Sequence, residues 1–104
     1  MCGIVGYWDN RPQDATVIEQ MVARIQHRGP DDTGVWMNKE KTLAFGHHRL
    51  SILDLSDAGH QPMVSPCGRY VLTYNGEIYN HLELRLELEN EGGHFDWQGH
   101  SDTE

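Results

Sequence analysis

The chain has 104 residues, enough for one domain with a modest core and no more. Sixteen acidic residues against eight lysines and arginines leave a formal charge of −8, which disfavours nucleic acid or an anionic membrane as a partner. No run approaches the roughly 20 apolar residues of a membrane span, no apolar leader follows Met1, and two cysteines make no disulfide framework, so a cytoplasmic chain is expected.

The opening run Met1-Cys2-Gly3-Ile4-Val5-Gly6 carries a thiol directly behind the initiator methionine. Trimming of Met1 would give Cys2 a free α-amine of pKa about 7.7–8.0, a nucleophile beside its own base. The β-rich stretch Gly3–Trp8 that follows reads as a strand pinning a terminus that would otherwise fray. A second reading stays open, in which Cys2 is a small buried hydrophobe at the start of that strand.

Asp9–Pro12 is a turn, and Thr16 with Glu19 has capping-box spacing ahead of a helix of about three turns. Val17, Ile18, Met21, Val22 and Ile25 recur on one face of it, and His27, Arg28, Gly29 and Pro30 form a stop. Arg28–Asp32 is a polar loop. Gly34–Met37 and Thr42–Gly46, joined by the charged turn Asn38–Lys41, predict a hairpin.

The hairpin runs into His47-His48-Arg49-Leu50-Ser51-Ile52. Adjacent histidines on a strand face opposite ways, and the seven histidines lack metal-ligand spacing, so no metal is expected. Arg49 offers a fork suited to a carboxylate, or else forms a surface salt bridge.

Leu53–Met63 is loop, Ser65–Gly68 a type I turn with an exposed Cys67, and Arg69–Tyr74 a strand. Asn75-Gly76-Glu77 follows directly. Asn-Gly can close a hairpin. It can also sit between a strand and a helix, where an amide and a backbone N–H converge on an anion. A helix is expected after Asn80: Leu82, Leu84, Leu86 and Leu88 alternate like a strand, but the stretch is built of helix formers and stopped by Gly92-Gly93. Ile78, Tyr79, Leu82 and Leu86 form its expected buried face, and His94–Gln98 reads as a last short strand.

Met-Cys-Gly-Ile-Val-Gly, Arg-Gly-Pro-Asp-Asp, Gly-His-His-Arg-Leu-Ser-Ile, Tyr-Asn-Gly-Glu-Ile-Tyr-Asn and Ser-Asp-Thr-Glu occur here in that order. Together they make the chain, from Cys2 onward, resemble the class II glutamine amidotransferases of the N-terminal nucleophile hydrolase superfamily, above all the glutaminase part of glutamine-hydrolysing asparagine synthetases. Cys67 stands where that family commonly has an acidic or amide turn residue.

The resemblance implies an α+β fold, the αββα four-layer sandwich, of which residues 1–104 are the N-terminal half of a partial glutaminase domain. It implies that Cys2 attacks the side-chain amide of glutamine, with Asn75 and Gly76 as oxyanion hole. Arg49 would hold the substrate carboxylate, and Glu77 and Asp102 its ammonium group. It further implies that ammonia passes to a C-terminal synthetase domain of the same polypeptide, where ATP and Mg²⁺ serve the conversion of aspartate to asparagine. This chain would need no cofactor itself, and the family allows a homodimer. Two alternatives stand beside this reading: a related amidotransferase with another acceptor, such as a surface sugar, and a non-catalytic fragment. The 104 residues alone are expected to be a weak enzyme.

Overall fold

A computed structural model describes residues 2–50 and 56–104 of the chain. Met1, whose trimming the nucleophile reading needs, lies outside them. So do residues 51–55, the end of the Gly46–Ile52 motif and the start of the loop after it.

The fold is α+β. Strand β1 (Gly3–Trp8), β2 (Asp32–Met37) and β3 (Leu43–Arg49) form an antiparallel sheet in the order β1-β3-β2. The expected hairpin is β2–β3, and its turn is tied by Asn38, whose Oδ1 accepts from the N–H groups of Thr42 and Leu43 at 2.9 and 3.0 Å. Both strands outrun the prediction. β2 starts at Asp32, and β3 continues through His47, His48 and Arg49. Those polar residues carry no apolar alternation, yet they pair with Ile4 and Gly3 on one side and with Gly34, Thr33 and Asp32 on the other. A central strand has both edges satisfied, and that backbone pairing outweighs composition.

Helix α1 (Ala15–Arg24) lies on one face of this sheet. Its N-cap is Asp14, whose carboxylate accepts from Thr16 N–H at 3.0 Å, in place of the Thr16–Glu19 box expected. It ends in a 3-10 turn, Gln26–Arg28, and Gly29 is extended with φ −164°, so no left-handed glycine closes it. The core is small: Ile18, Val22 and Ala44 are buried, with Val5, Tyr7, Met21 and Met37 packed around them. Burying Ile18 and Val22 contributes roughly 1.5–3 kcal/mol each. α1 comes so close to β3 that a side chain at Gly46 would run into Val22 and Val5.

The opposite face carries Ile4, Trp8, Phe45 and Trp36, the last two stacked across the strands with centroids 5.6 Å apart. Ile4 is 47% exposed and Trp8 86%. At the other end of the same face, a loop crosses the strand ends and includes a short 3-10 turn, Asp57–Gly59.

β4 (Met63–Val64) and β5 (Val71–Leu72) make a two-residue hairpin across the Ser65–Gly68 turn. Only two residues of the expected Arg69–Tyr74 strand pair, and Met63, read as loop, pairs with them. Helix α2 (His81–Asn90) forms despite its alternating leucines. Its expected buried face is not buried: Ile78, Tyr79, Leu82 and Leu86 are 36–88% exposed, because a two-residue period spreads leucines around a helix instead of gathering them. His94–Gln98 is not a strand. Phe95 and Trp97 stack on each other instead, with centroids 5.0 Å apart.

Candidate active site

Cys2 sits just before β1. The antiparallel register, with Gly3 opposite His48, carries Cys2 to the end of β3, where Leu50 N–H points at its sulfur at 3.3 Å and the thiol lies 3.6 Å from Leu50 O. It is partly exposed rather than packed into the core, against the small-hydrophobe reading. One residue back along β3, Arg49 is only 8% exposed, so it is not a surface salt-bridge arginine. Its Nη1 donates to Ser56 O at 2.7 Å, and its guanidinium packs against Gly59, where any side chain would collide with it. The loop bearing Ser56 and Gly59 is pinned to β2 by His60, whose Nδ1 meets Asp32 Oδ2 at 2.5 Å.

His47 and His48 face opposite ways, as strand alternation requires. On the α1 side, His48 Nδ1 lies 3.0 Å from Gly29 O and from Thr33 Oγ1. His47, 1% exposed, points to the other side and lies 3.2 Å from Tyr74 O through its Nε2. A carbonyl only accepts, so Nε2 carries a proton in this hydrogen bond. Burial holds the His47 pKa below the usual histidine value. The N–H of Tyr74 donates in turn to Oε1 of buried Gln61 at 2.6 Å. The residue ahead of Asn75 is thus held at both its backbone groups.

Because folded His47 binds its proton less readily than the unfolded chain, stability should fall as pH drops below about 6.5. His47→Gln should shrink the loss of urea midpoint between about pH 7.5 and about pH 5.5. An unchanged difference would mean that His47 does not carry that sensitivity.

Asn75-Gly76 is a bend in irregular chain and does not close a hairpin. Gly76 lies under the tip of the Tyr74 side chain: a Cβ there would come 2.5 Å from the hydroxyl and displace that ring. Asn75 is partly exposed and Glu77 exposed. Asp102 reaches the same segment, its Oδ2 accepting from Ile78 N–H at 2.8 Å. The predicted residues therefore fall into two groups, Cys2 with Arg49 at the end of β3 and Asn75-Gly76-Glu77 with Asp102. The His47–Tyr74 hydrogen bond ties β3 to the second group. His47 lies inside the Gly46–Ile52 motif, but neither its contact with Tyr74 O nor that of Gln61 with Tyr74 N–H is legible in the sequence, since each acts on a backbone group.

A cavity of about 310 Å³ opens elsewhere, between the β4–β5 hairpin and the chain around Phe95 and Trp97, and none of Cys2, Arg49, Asn75, Gly76, Glu77 and Asp102 lines it. Among the described residues, no three His, Cys, Asp or Glu side chains are grouped to hold a metal ion, and no helix is long and apolar enough to cross a membrane.

The profile of the glutamine amidotransferase domain matches residues 1–104. The chain belongs to the glutamine amidotransferase domain family. This amidotransferase chain is 42% identical over its whole length to asparagine synthetase [glutamine-hydrolyzing] 1 of Bacillus subtilis, of which it covers 16%. It is 41% identical, over 90% of its length, to asparagine synthetase [glutamine-hydrolyzing] of Brassica oleracea, again covering 16%. A putative asparagine synthetase [glutamine-hydrolyzing] 2 of Methanocaldococcus jannaschii is 39% identical over 89% of the amidotransferase chain, which covers 22% of that protein. The chain thus spans about a sixth to a fifth of the length of these relatives.

Proposed function

We propose that the chain is the N-terminal part of the glutaminase domain of a glutamine-dependent asparagine synthetase, hydrolysing glutamine to glutamate and ammonia. The observation that carries this reading is the meeting of Cys2 with the end of β3, one residue from the buried fork of Arg49. Glutamine is a zwitterion, and its two charged ends call for a fork-shaped cation and a carboxylate apart from each other.

In this reading Met1 is trimmed and the Cys2 α-amine takes the thiol proton as sulfur adds to the side-chain amide carbon. Asn75 and the Gly76 N–H donate to the oxyanion, while Arg49 binds the α-carboxylate and Glu77 and Asp102 bind the α-ammonium. The amine returns the proton to the leaving nitrogen, ammonia departs, and water hydrolyses the γ-glutamyl thioester to glutamate and free thiol. The names of the relatives support aspartate as the final ammonia acceptor, in a synthetase region of the same polypeptide where ATP and Mg²⁺ would act. The uncovered sheet face, with Ile4 and Trp8 exposed, is what one half of an αββα sandwich would present to its second sheet.

The test is glutamate release from glutamine by the full-length protein. Arg49→Ala should raise KM for glutamine roughly ten- to a hundredfold with kcat little changed, because the carboxylate is equally charged in ground and transition states. Absence of glutamate release from the unsubstituted protein would refute the reading, and a fall in kcat alone would refute the role of Arg49.

A further inference from the structure

α2 turns its leucines outward, yet one charged residue of the same helix is drawn in. The Arg85 side chain is 14% exposed and closes over the chain between residues 97 and 104. Its Nη1 donates to Gly99 O and its Nη2 to Ser101 O, both at 2.9 Å. Its guanidinium lies over the Trp97 ring, 4.5 Å from the centroid, and stands 3.7 Å from Glu104 Oε1. Glu104 turns back on the same loop, accepting from the N–H groups of Gln98 and Gly99 at 2.8 Å each. Trp97 is itself anchored to α2 through Glu89, at 2.8 Å.

These contacts close a tight loop whose one acidic side chain reaching across to the Asn75–Glu77 segment is Asp102, through Ile78 N–H. We infer that Arg85 is a positioning residue for substrate recognition: it shapes the 97–104 loop so that Asp102 meets the α-ammonium of glutamine. A planar fork can satisfy two carbonyls in fixed geometry and stack on an indole at once, which an ammonium cannot. The inference deepens the proposed function and rests on its assignment of Asp102.

The experiment uses the full-length protein and two probes, glutamine and 4-carbamoylbutanoate, which is glutamine without its amino group. Arg85→Lys and Arg85→Met should raise KM for glutamine roughly ten- to a hundredfold, as expected for losing an interaction with a charged group. The inhibition constant of 4-carbamoylbutanoate should stay within about threefold, since it has no ammonium to place. Glu104→Gln should move the same ratio in the same direction, which keeps the test open if Arg85→Met does not fold.

Asp102→Asn is the reference. If it lowers the preference for glutamine over 4-carbamoylbutanoate and the Arg85 variants do too, with no further loss in the double variant, the inference stands. If Asp102→Asn lowers it and the Arg85 variants do not, Arg85 is overturned while Asp102 is kept. If Asp102→Asn leaves the preference intact, the assignment of Asp102 fails and takes the inference with it. Equal weakening of both probes in the Arg85 variants would reduce Arg85 to a fold-stabilising residue and overturn the inference.

Discussion

Replacing Cys2 with alanine is expected to abolish glutamine hydrolysis and to leave amidation from free ammonia at its unsubstituted rate. Loss of a nucleophile in another acyl-transfer enzyme lowers kcat on the order of 10⁶-fold, and no neighbouring group here offers a second thiol. The substitution is structurally mild. Cys2 is only partly buried, its contacts are with the Leu50 backbone, and the ladder beginning at the Gly3–His48 pair does not depend on the sulfur. Folding and the ammonia-dependent reaction therefore serve as internal controls. Glutamate release surviving within about tenfold, a difference of about 1.4 kcal/mol, would remove Cys2 from the chemistry. Loss of the ammonia-dependent reaction as well would show that the change had damaged the fold.

The second large effect is expected at Asn75. Its amide has most to offer when the carbonyl oxygen becomes an anion, so Asn75→Ala should lower kcat by roughly 10²- to 10³-fold with KM nearly unchanged. The prediction is sharp because the segment is anchored independently of that side chain. Tyr74 is held by His47 and Gln61, Gly76 is fitted beneath the Tyr74 ring, and Ile78 is tied to Asp102. Truncating Asn75 removes a donor and leaves the loop where it was. A rise in KM with kcat unchanged would assign Asn75 to substrate binding instead.

Much of this was legible in the sequence, and the reasons differ by element. β1 and the β2–β3 hairpin follow from β-rich runs and a turn, and α1 from its apolar stripe. The extension of β3 through His47–Arg49 is invisible to such patterns, because it is decided by what the two neighbouring strands offer. α2 was readable as a helix from composition, but its packing was not, since leucines at every second position define no face. Phe95 and Trp97 alternate like strand residues and yet stack on each other, with Trp97 also held by Arg85 and Glu89 of α2. Cys2, Arg49, Asn75 and Asp102 are proposed as site residues on their motifs. His47 and Gln61 act on the backbone of Tyr74, and Arg85 on the carbonyls of Gly99 and Ser101, groups that any sequence supplies.

The alternation along β3 has a consequence for how this chain tolerates insertions and deletions. Gly46 and His48 turn toward the α1 side, while on the other side His47 meets Tyr74 and Arg49 the loop of Ser56 and Gly59. The strand is two-sided, with successive residues serving opposite faces. Losing or gaining a single residue between Leu43 and Arg49 would exchange the sides, turning the guanidinium to the face where His48 meets Gly29 and Thr33 and bringing Leu50 or His48 into its place. A change of two residues would restore the sides but shift Arg49 along the strand by about 7 Å. The turn at Asn38–Lys41 sits outside this alternation. Length variation in this sheet should therefore collect at the turn, with β3 kept to a fixed count.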